Sequence, residues 1–197
     1  APGEEGIDVF GKSLPVGEPE ELQVDCGSGI EKRGNEFYAI HDGMLAMDEN
    51  KLDVVKSYLH QGDVNLSSGN INFDGPVAIE GSVDTGARVI SGGDININGN
   101  IRSGFVLCSG NLTTEGGIIT SDKGFVHCNG DLHCDFIENS VIYCDGNIYV
   151  KKAIVSSRIF VAKSIHIENS DGTVAGSKIY VGDSVYTGNL GFKRGAH

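Results

Sequence analysis

Residues 93 to 112 read GDININGNIRSGFVLCSGNL, so this stretch begins and ends on the same motif, a glycine followed by Asp or Asn and then an aliphatic residue. The motif recurs along the chain, with its glycines at positions 62, 69, 93, 110, 130 and 146. When residues 75, 93, 110, 130, 146 and 163 are taken as equivalent origins, the steps between them are 18, 17, 20, 16 and 17 residues. A repeat of this length predicts a solenoid, in which each repeat forms one coil stacked on the next.

Three positions of the repeat carry apolar side chains in almost every coil. Two residues after the origin stand Val77, Ile95, Leu112, Leu132, Ile148 and Ile165. Four residues after it stand Ile79, Ile97, Thr114, Cys134, Val150 and Ile167, and four before it stand Ile71, Val89, Val106, Val126, Ile142 and Ile159. Alternate residues of a strand point to opposite faces, so these columns are the inward side chains of successive strands. The sequence therefore predicts an all-β fold, a parallel β-helix of about 18 residues per coil, and the uneven coil lengths favour a right-handed helix.

The glycine and the Asp or Asn of the motif predict the corners of the coils. Glycine and Asx residues tolerate left-handed backbone conformations, and an Asx side chain can accept hydrogen bonds from nearby backbone amides. Calcium binding by these aspartates is disfavoured because the glycine-rich nonapeptide pattern of calcium-binding β-helices is missing.

Three of the five cysteines, Cys108, Cys128 and Cys144, fall two residues before the origin and so share one predicted inward column. A buried free cysteine behaves as a small hydrophobic residue. No histidine shares this column and the chain has no CxxC pair, so the sequence favours neither a metal site nor a disulfide framework. We expect a reducing compartment, the cytoplasm, and neither cofactor nor metal.

The chain is predicted to divide into residues 1–55, a β-rich N-terminal lobe and cap, residues 56–191, the β-helix, and residues 192–197, a tail. Residues 36–55 alternate around Asp42-Gly43 in the manner of a β-hairpin. A cap is expected because the open strands at the ends of a solenoid would otherwise pair edge to edge.

Charge and hydropathy exclude two classes of partner. The formal net charge of −12 opposes binding to nucleic acid, which needs a basic surface. No apolar run approaches the roughly 18 residues of a membrane helix, so no membrane insertion is expected.

No combination of residues predicts an enzyme. Five of the six histidines lie at outward or turn positions and His197 lies in the predicted tail, and none is spaced with a nucleophile and an orienting acid. The best enzymatic alternative is a hexapeptide acyltransferase, a left-handed β-helix of similar coil length. The chain lacks the strict hexapeptide order of those enzymes.

One predicted outward surface is apolar, in contrast to the polar column five residues after the origin. Its candidate protein-interaction residues are Ile90, Phe105, Leu107, Phe125, Tyr143 and Phe160. A contiguous apolar stripe usually marks a covered or binding surface, and aromatic residues are favoured as interface anchors. Three occupants are open: the N-terminal lobe or another segment of the protein, a second copy in a homodimer or other self-association, or a separate protein partner.

The chain resembles the flagellar assembly protein A (FapA) family, long catalogued as a domain of unknown function. The resemblance rests on Pro2-Gly3, on residues 8–12 (DVFGK), on Gly62-Asp63-Val64, on residues 69–83 and on residues 172–176 (GTVAG). It implies a β-solenoid of the bacterial cytoplasm, linked in some members to placement of the polar flagellum, with no catalytic residues to carry over.

These observations together predict a non-enzymatic scaffold or protein-interaction module. The second hypothesis is a polymerising cytoskeletal solenoid of the bactofilin type, and the third is the acyltransferase.

Overall fold

The computed structural model describes residues 6–7, 9–14, 24–41, 43–48, 50–121 and 123–191. The chain forms two compact units, residues 1–55 and residues 56–197. Every regular element in the described ranges is a β-strand, and none of these residues belongs to a helix that could cross a membrane. The predicted tail at residues 192–197 lies outside the described residues.

The first unit is built from short strands. They are β1 (Gly6–Ile7), β2 (Ser13–Leu14), β3 (Asp25–Cys26), β4 (Ile30–Arg33), β5 (Glu36–Ala39), β6 (Met44–Asp48) and β7 (Lys51–Val55). β1 pairs with β2, β4 pairs with β5, and β3, β7 and β6 form a third small sheet. Among the described residues of this unit, only Ile30 and Val54 are buried hydrophobic side chains. The unit therefore has a small core, and its predicted role as a cap stays a prediction.

The prediction of one hairpin over residues 36–55 was wrong. β5 pairs backwards with β4, across a two-residue turn at Gly34-Asn35 in which Gly34 has a φ of +64°. β6 pairs with β7 in a register that joins Asp48 to Lys51, so this second reversal also lies away from Asp42-Gly43. Asp42 itself is outside the described residues. A Gly-Asn turn tolerates positive φ and closes β4 and β5 directly, which leaves β6 free to pair with β7.

The second unit is a parallel β-solenoid. Its strands are β8 (Tyr58–His60), β9 (Ile71–Phe73), β10 (Val77–Ile79), β11 (Arg88–Ser91), β12 (Ile95–Ile97), β13 (Ile101–Arg102), β14 (Phe105–Cys108), β15 (Leu112–Thr114), β16 (Ile118–Ile119), β17 (Phe125–Cys128), β18 (Leu132–Glu138), β19 (Val141–Cys144), β20 (Ile148–Val155), β21 (Arg158–Val161), β22 (Ile165–Ile167), β23 (Thr173–Ala175), β24 (Lys178–Val181), β25 (Val185–Tyr186) and β26 (Asn189–Leu190).

Each coil has three arms. The first arm forms a seven-stranded sheet in the order β9-β11-β14-β17-β19-β21-β24. The second arm forms the sheet that runs from β8 to β25, and short strands of the third arm join it because β18 and β20 bend from the second arm into the third. Each strand pairs in parallel with its equivalent in the next coil. The predicted all-β parallel solenoid is confirmed, with about seven coils, while its hand stays a prediction.

The predicted inward columns form the core. All eighteen residues of the three columns named above are buried, with exposed fractions of 0 to 8%. A further inward column, which the sequence did not predict, lies on the third arm and contains Val64, Val83, Ile101, Ile118, Ile137, Ile154 and Val174. The core is thus a continuous apolar column whose coils each contact only their neighbours.

The corner glycines have a different role from the predicted one. Positive φ occurs at Gly62 and Gly69 of the motif, but not at Gly93, Gly130 or Gly146. At these three positions an added Cβ would lie 2.5 to 2.8 Å from the nearest backbone atom of the preceding coil, closer than real Cβ atoms approach. Glycine is required there because successive coils pass too close for any side chain.

The Asp and Asn residues after these glycines link one coil to the next. Asp94 Oδ1 accepts the backbone N–H of Asn111 at 2.7 Å, and Asn111 Oδ1 accepts that of Asp131 at 2.8 Å. Asp131 Oδ1 then accepts the N–H of Asn147 at 2.7 Å. The predicted structural role of these side chains is confirmed, and the backbone amides that they bind belong to the next coil. This hydrogen-bonded ladder holds the corner of the coils in register.

Candidate interaction surface

The outward side of the seven-stranded sheet carries a band of apolar side chains, which we call the aromatic face. It comprises Ile90, Phe105, Leu107, Phe125, Tyr143, Phe160 and Tyr180. The pairing register places all six sequence-predicted residues on this sheet: Ile90 pairs with Leu107, Phe105 with Phe125, and Tyr143 with Phe160. Tyr180, which the sequence interpretation missed, continues the row beyond Phe160 in β24.

The rings of the aromatic face contact one another along the solenoid. Tyr143 stacks on Phe160 with ring centroids 4.9 Å apart, and Phe160 stacks on Tyr180 at 4.8 Å. Phe105 and Phe125 meet edge to face at 5.6 Å, and Phe125 meets Tyr143 edge to face at 6.3 Å. Both geometries are favourable for aromatic pairs. Phe125, Tyr143 and Phe160 therefore have ring neighbours in the coils on both sides, whereas Phe105 and Tyr180 have one ring neighbour each.

The aromatic face is open to solvent. Tyr143 is 41% exposed and Tyr180 is 58% exposed, whereas the other members are half-buried. A shallow depression of about 790 Å³ lies over the later coils, lined by Tyr143, Phe160 and Tyr180 together with His127 and Asp145. A second depression of about 470 Å³ lies over Phe105 and Phe125. Such a continuous exposed apolar surface is typical of a binding site.

The edge where the strands of the aromatic face begin is basic, whereas the edge where they end carries two aspartates and one exposed lysine, Lys163. At the edge where the strands begin, Arg88, Arg158 and Lys178 are exposed. At the edge where the strands end, Asp74 and Asp145 are exposed, and Asp145 Oδ2 lies 3.9 Å from His127 Nε2. Within the described part of the chain, the three basic residues make no ion pair. Their charges are thus available to a molecule that covers the face.

The second arm carries another stack of rings, which the sequence interpretation missed. His133, Tyr149, His166 and Tyr186 follow one another on its outward side, with centroid separations of 4.6, 5.0 and 4.6 Å and interplanar angles of 10 to 14°. The outward orientation predicted for His133 and His166 agrees with this arrangement. The signal was the column three residues after the origin, where these four residues recur coil after coil. His166 lies between two tyrosine rings and His133 stacks on one, so both histidines are members of a side-chain ladder.

The cysteine column lies inside the core, as its position in the repeat predicted. Cys108, Cys128, Cys134 and Cys144 are buried free thiols, and Cys26 in the first unit is exposed. The Cys108 thiol donates to the carbonyls of Gly93 and Asn111, both at 3.1 Å. Burial raises the pKa of Cys108 from 9.0 to about 11, and burial also raises the pKa of Cys134.

We expect one fast-reacting thiol per native chain. Aromatic disulfide reagents cannot reach the four buried thiols in the native chain, so exposed Cys26 is modified first. Titration at pH 8 before and after addition of guanidinium chloride checks this result, with Cys26→Ser as the control that removes the fast phase. Fast reaction of any thiol in the native Cys26→Ser chain would contradict it.

The same raised pKa predicts an alkaline limit to stability. The folded state favours the neutral thiol of Cys108. The contribution of this thiol to the free energy of unfolding is therefore fully present below about pH 9 and is lost as the pH rises through about 11. Thermal unfolding followed between pH 8 and pH 11 measures this loss, and Cys108→Ala should reduce it.

Comparison with known proteins identifies the solenoid. No curated protein and no solved structure matches the chain. Residues 56–197, which form the second unit, match the model of the Flagellar Assembly Protein A beta solenoid domain. This match confirms the family predicted from the residues of the repeat, and it covers most of the chain. The chain therefore belongs to the FapA family.

Proposed function

We propose that this protein is a non-enzymatic scaffold of flagellar assembly, and that it binds protein through the aromatic face. Membership of the FapA family implies a role in flagellar assembly. The observation that supports the scaffold function is the row of contacting aromatic rings from Phe105 to Tyr180, which meet edge to face in the first coils and stack in the later ones. Aromatic and arginine side chains dominate the energy of protein interfaces, and both occur together here.

The aromatic face is well suited to binding because its side chains are already ordered. Tyr143 and Phe160 are stacked between neighbouring rings, and their strands pair in parallel within a sheet of seven strands. Ordering loose side chains at an interface costs about 0.5–1.5 kcal/mol each. A face that is ordered before binding avoids most of this cost.

The proposed location is the cytoplasm of a bacterium, at the pole as in some members of the family. Four cysteines are buried as free thiols, a state that a reducing compartment preserves. The family connects the chain with bacterial flagella.

End-to-end polymerisation, as in bactofilin-type solenoids, is the second candidate function. It is favoured by the last coil, where Val185 is 36% exposed and Leu190 is 82% exposed at the end of the core. Stacking of another coil on β24, β25 and β26 would cover these side chains. Filaments seen by electron microscopy, and lost in Val185→Lys, would support this candidate over the first.

The scaffold proposal predicts a motility defect when charge is placed on the aromatic face. We expect Tyr143→Glu combined with Phe160→Glu, introduced into the full-length gene of the natural host, to reduce flagellation to the level of a deletion strain. Two carboxylates in the middle of the face cannot be buried against an apolar partner without a large desolvation cost. Flagella are counted and located by electron microscopy.

The matched control is Thr85→Glu combined with Asn96→Glu, which adds two glutamates at exposed positions away from the face. It should leave flagella unchanged. Protein levels and circular dichroism spectra must be the same for both double variants. Normal flagellation of the Tyr143→Glu, Phe160→Glu strain would contradict the proposed function.

A further inference from the structure

The aromatic face repeats with the period of the solenoid. Its outward residues recur in register from one strand to the next, as in the pairs Leu107 with His127 and Tyr143 with Phe160. The rows are therefore spaced by the strand separation of about 4.8 Å. A partner that contacts several rows at once needs rows at the same separation, and the strands of a parallel solenoid have this separation. A second copy of this chain presents the identical rows.

The charges at the edges restrict how a second copy can lie on the face. A two-fold axis parallel to the solenoid axis places the basic edge of each copy opposite the acidic edge of the other. Arg158 of β21 then lies opposite Ala162 and one strand away from Asp145 of the second copy. Arg88 of β11 lies in the same way one strand away from Asp74. The two sheets are packed about 10 Å apart and neighbouring strands lie about 4.8 Å apart, so Arg158 can reach Asp145 and Arg88 can reach Asp74 of the second copy.

The alternative two-fold axis, along the strands, is disfavoured. The seven strands run from β9 to β24 with β17 in the middle. Rotation about this axis exchanges β11 with β21 and keeps each edge on its own side, so that Arg88 lies opposite Arg158. Like charges repel each other at an interface, so this orientation is less favourable than the first.

We infer that the aromatic face is occupied by a second copy of this chain, in a two-fold dimer whose solenoid axes run parallel. The inference rests on the proposed function and names the partner of the same surface. The stacked rings of the two copies meet at the centre, and the pairs Arg158 with Asp145 and Arg88 with Asp74 lie along both sides. The apolar rows supply the buried area, and the four ion pairs fix the orientation.

The area of the aromatic face determines how tightly two copies are expected to bind. Seven strands about 4.8 Å apart, each about 13 Å long, give a footprint of about 400 Å² per copy. Two such footprints bury about 800 Å² in total, which is less than the roughly 1,200 Å² of a stable complex. The dimer should therefore be weak and transient, and it should exchange with the monomer.

A charge exchange tests the dimer. Sedimentation velocity is measured over a concentration series for the whole chain and for Arg158→Glu, Asp145→Arg and the double variant Arg158→Glu, Asp145→Arg. Each single change places like charges at two sites of the dimer, so we expect the dissociation constant to rise by about tenfold or more. The double variant should return to within about threefold of the wild type, because the pair is restored with its signs exchanged.

Restoration by the double variant identifies contact between copies. Within one chain, Arg158 begins its strand and Asp145 follows the end of the neighbouring strand, so they are separated by about 13 Å along the sheet. The Thr85→Glu, Asn96→Glu variant has the same change in net charge as Arg158→Glu and should dimerise like the wild type.

Three results would overturn the dimer: a monomeric wild type at all concentrations, single variants that associate like the wild type, or a double variant that stays dissociated. Thermal unfolding of each variant shows whether it is folded. If the wild type is monomeric but Tyr143→Glu, Phe160→Glu still abolishes flagella, the occupant is another protein and the scaffold proposal stands. If the wild type dimerises and that strain has normal flagella, the proposed function fails instead.

Discussion

Replacing Ile142 with alanine is expected to lower the free energy of unfolding by about 4 kcal/mol, whereas the same change at Ile179 should cost about 1 kcal/mol. Ile142 is fully buried and pairs with Val126 on one side and Ile159 on the other. Ile179 occupies the same column in the last strand of its sheet, where it is half-buried and, among the residues that the structure describes, pairs with Ile159 alone. The two substitutions remove the same atoms from the same column, so they differ only in their surroundings.

The larger loss at Ile142 has two causes. Truncation removes the transfer free energy of three carbon atoms and leaves a cavity that coils on both sides enclose. In a solenoid each coil is stabilised by its neighbours, so a defect in a middle coil weakens two interfaces and a defect in the last coil weakens one. Guanidinium chloride unfolding, followed by circular dichroism, gives both values. Equal losses at the two positions would show that stability does not depend on position in the stack.

The fold could be predicted because each coil of the repeat gives independent evidence for the same register. A single alternating stretch such as residues 95–97 is weak evidence for a strand, but the same alternation in six coils leaves one register that buries every aliphatic column. The column on the third arm escaped prediction for a physical reason. Its strands are as short as two residues, as in β13 and β16, and insertions between the arms change its distance from the corner glycine.

The corners show where sequence reasoning reaches its limit. A glycine satisfies either a positive φ or a close approach, and composition does not separate the two needs. Left-handed backbone occurs instead at another corner of the coil, where Ser103, Asn139 and Ser156 have φ values of 45 to 51°. Nothing in the repeat distinguishes these residues from ordinary turn residues, so the structure was needed to locate them.

The interaction surface was predictable in part. Once the inward columns are fixed, the outward columns follow, and the apolar residues from Ile90 to Phe160 were found in this way. The stacking of Tyr143 on Phe160 and the position of Tyr180 depend on rotamers and on the slipped register of the last coil. Arg158 and Asp145 lie at opposite edges of the aromatic face. The structure was needed to locate them, because their positions depend on where each strand begins and ends.

Replacing Gly146 with alanine should destabilise the solenoid by about 2–3 kcal/mol, although it adds a single methyl group. The added Cβ would lie 2.5 Å from the carbonyl oxygen of Gly130 and 2.6 Å from its carbonyl carbon. Backbone of the preceding coil cannot rotate away as a flexible side chain can. The two coils must therefore separate at this corner, where Asp131 Oδ1 accepts the N–H of Asn147 at 2.7 Å.

The matched control is Asn129→Ala, one residue before the equivalent glycine of the preceding coil, where the side chain is exposed and the expected change in the free energy of unfolding is within about 0.5 kcal/mol. Chemical unfolding of both variants measures the difference.

Because the corner of Gly146 directly follows β19, the strand that carries Tyr143, separation of the coils also disturbs the stacked rings of the aromatic face. Gly146→Ala should therefore weaken the dimer at temperatures where the chain is still folded. Gly62 has open space around its Cα but a φ of +78°. Gly62→Ala should therefore lower the free energy of unfolding by about 1 kcal/mol and leave the dimer intact. A Gly146→Ala chain with wild-type stability would mean that the corners are not in close contact, and would remove the reason why glycine recurs there.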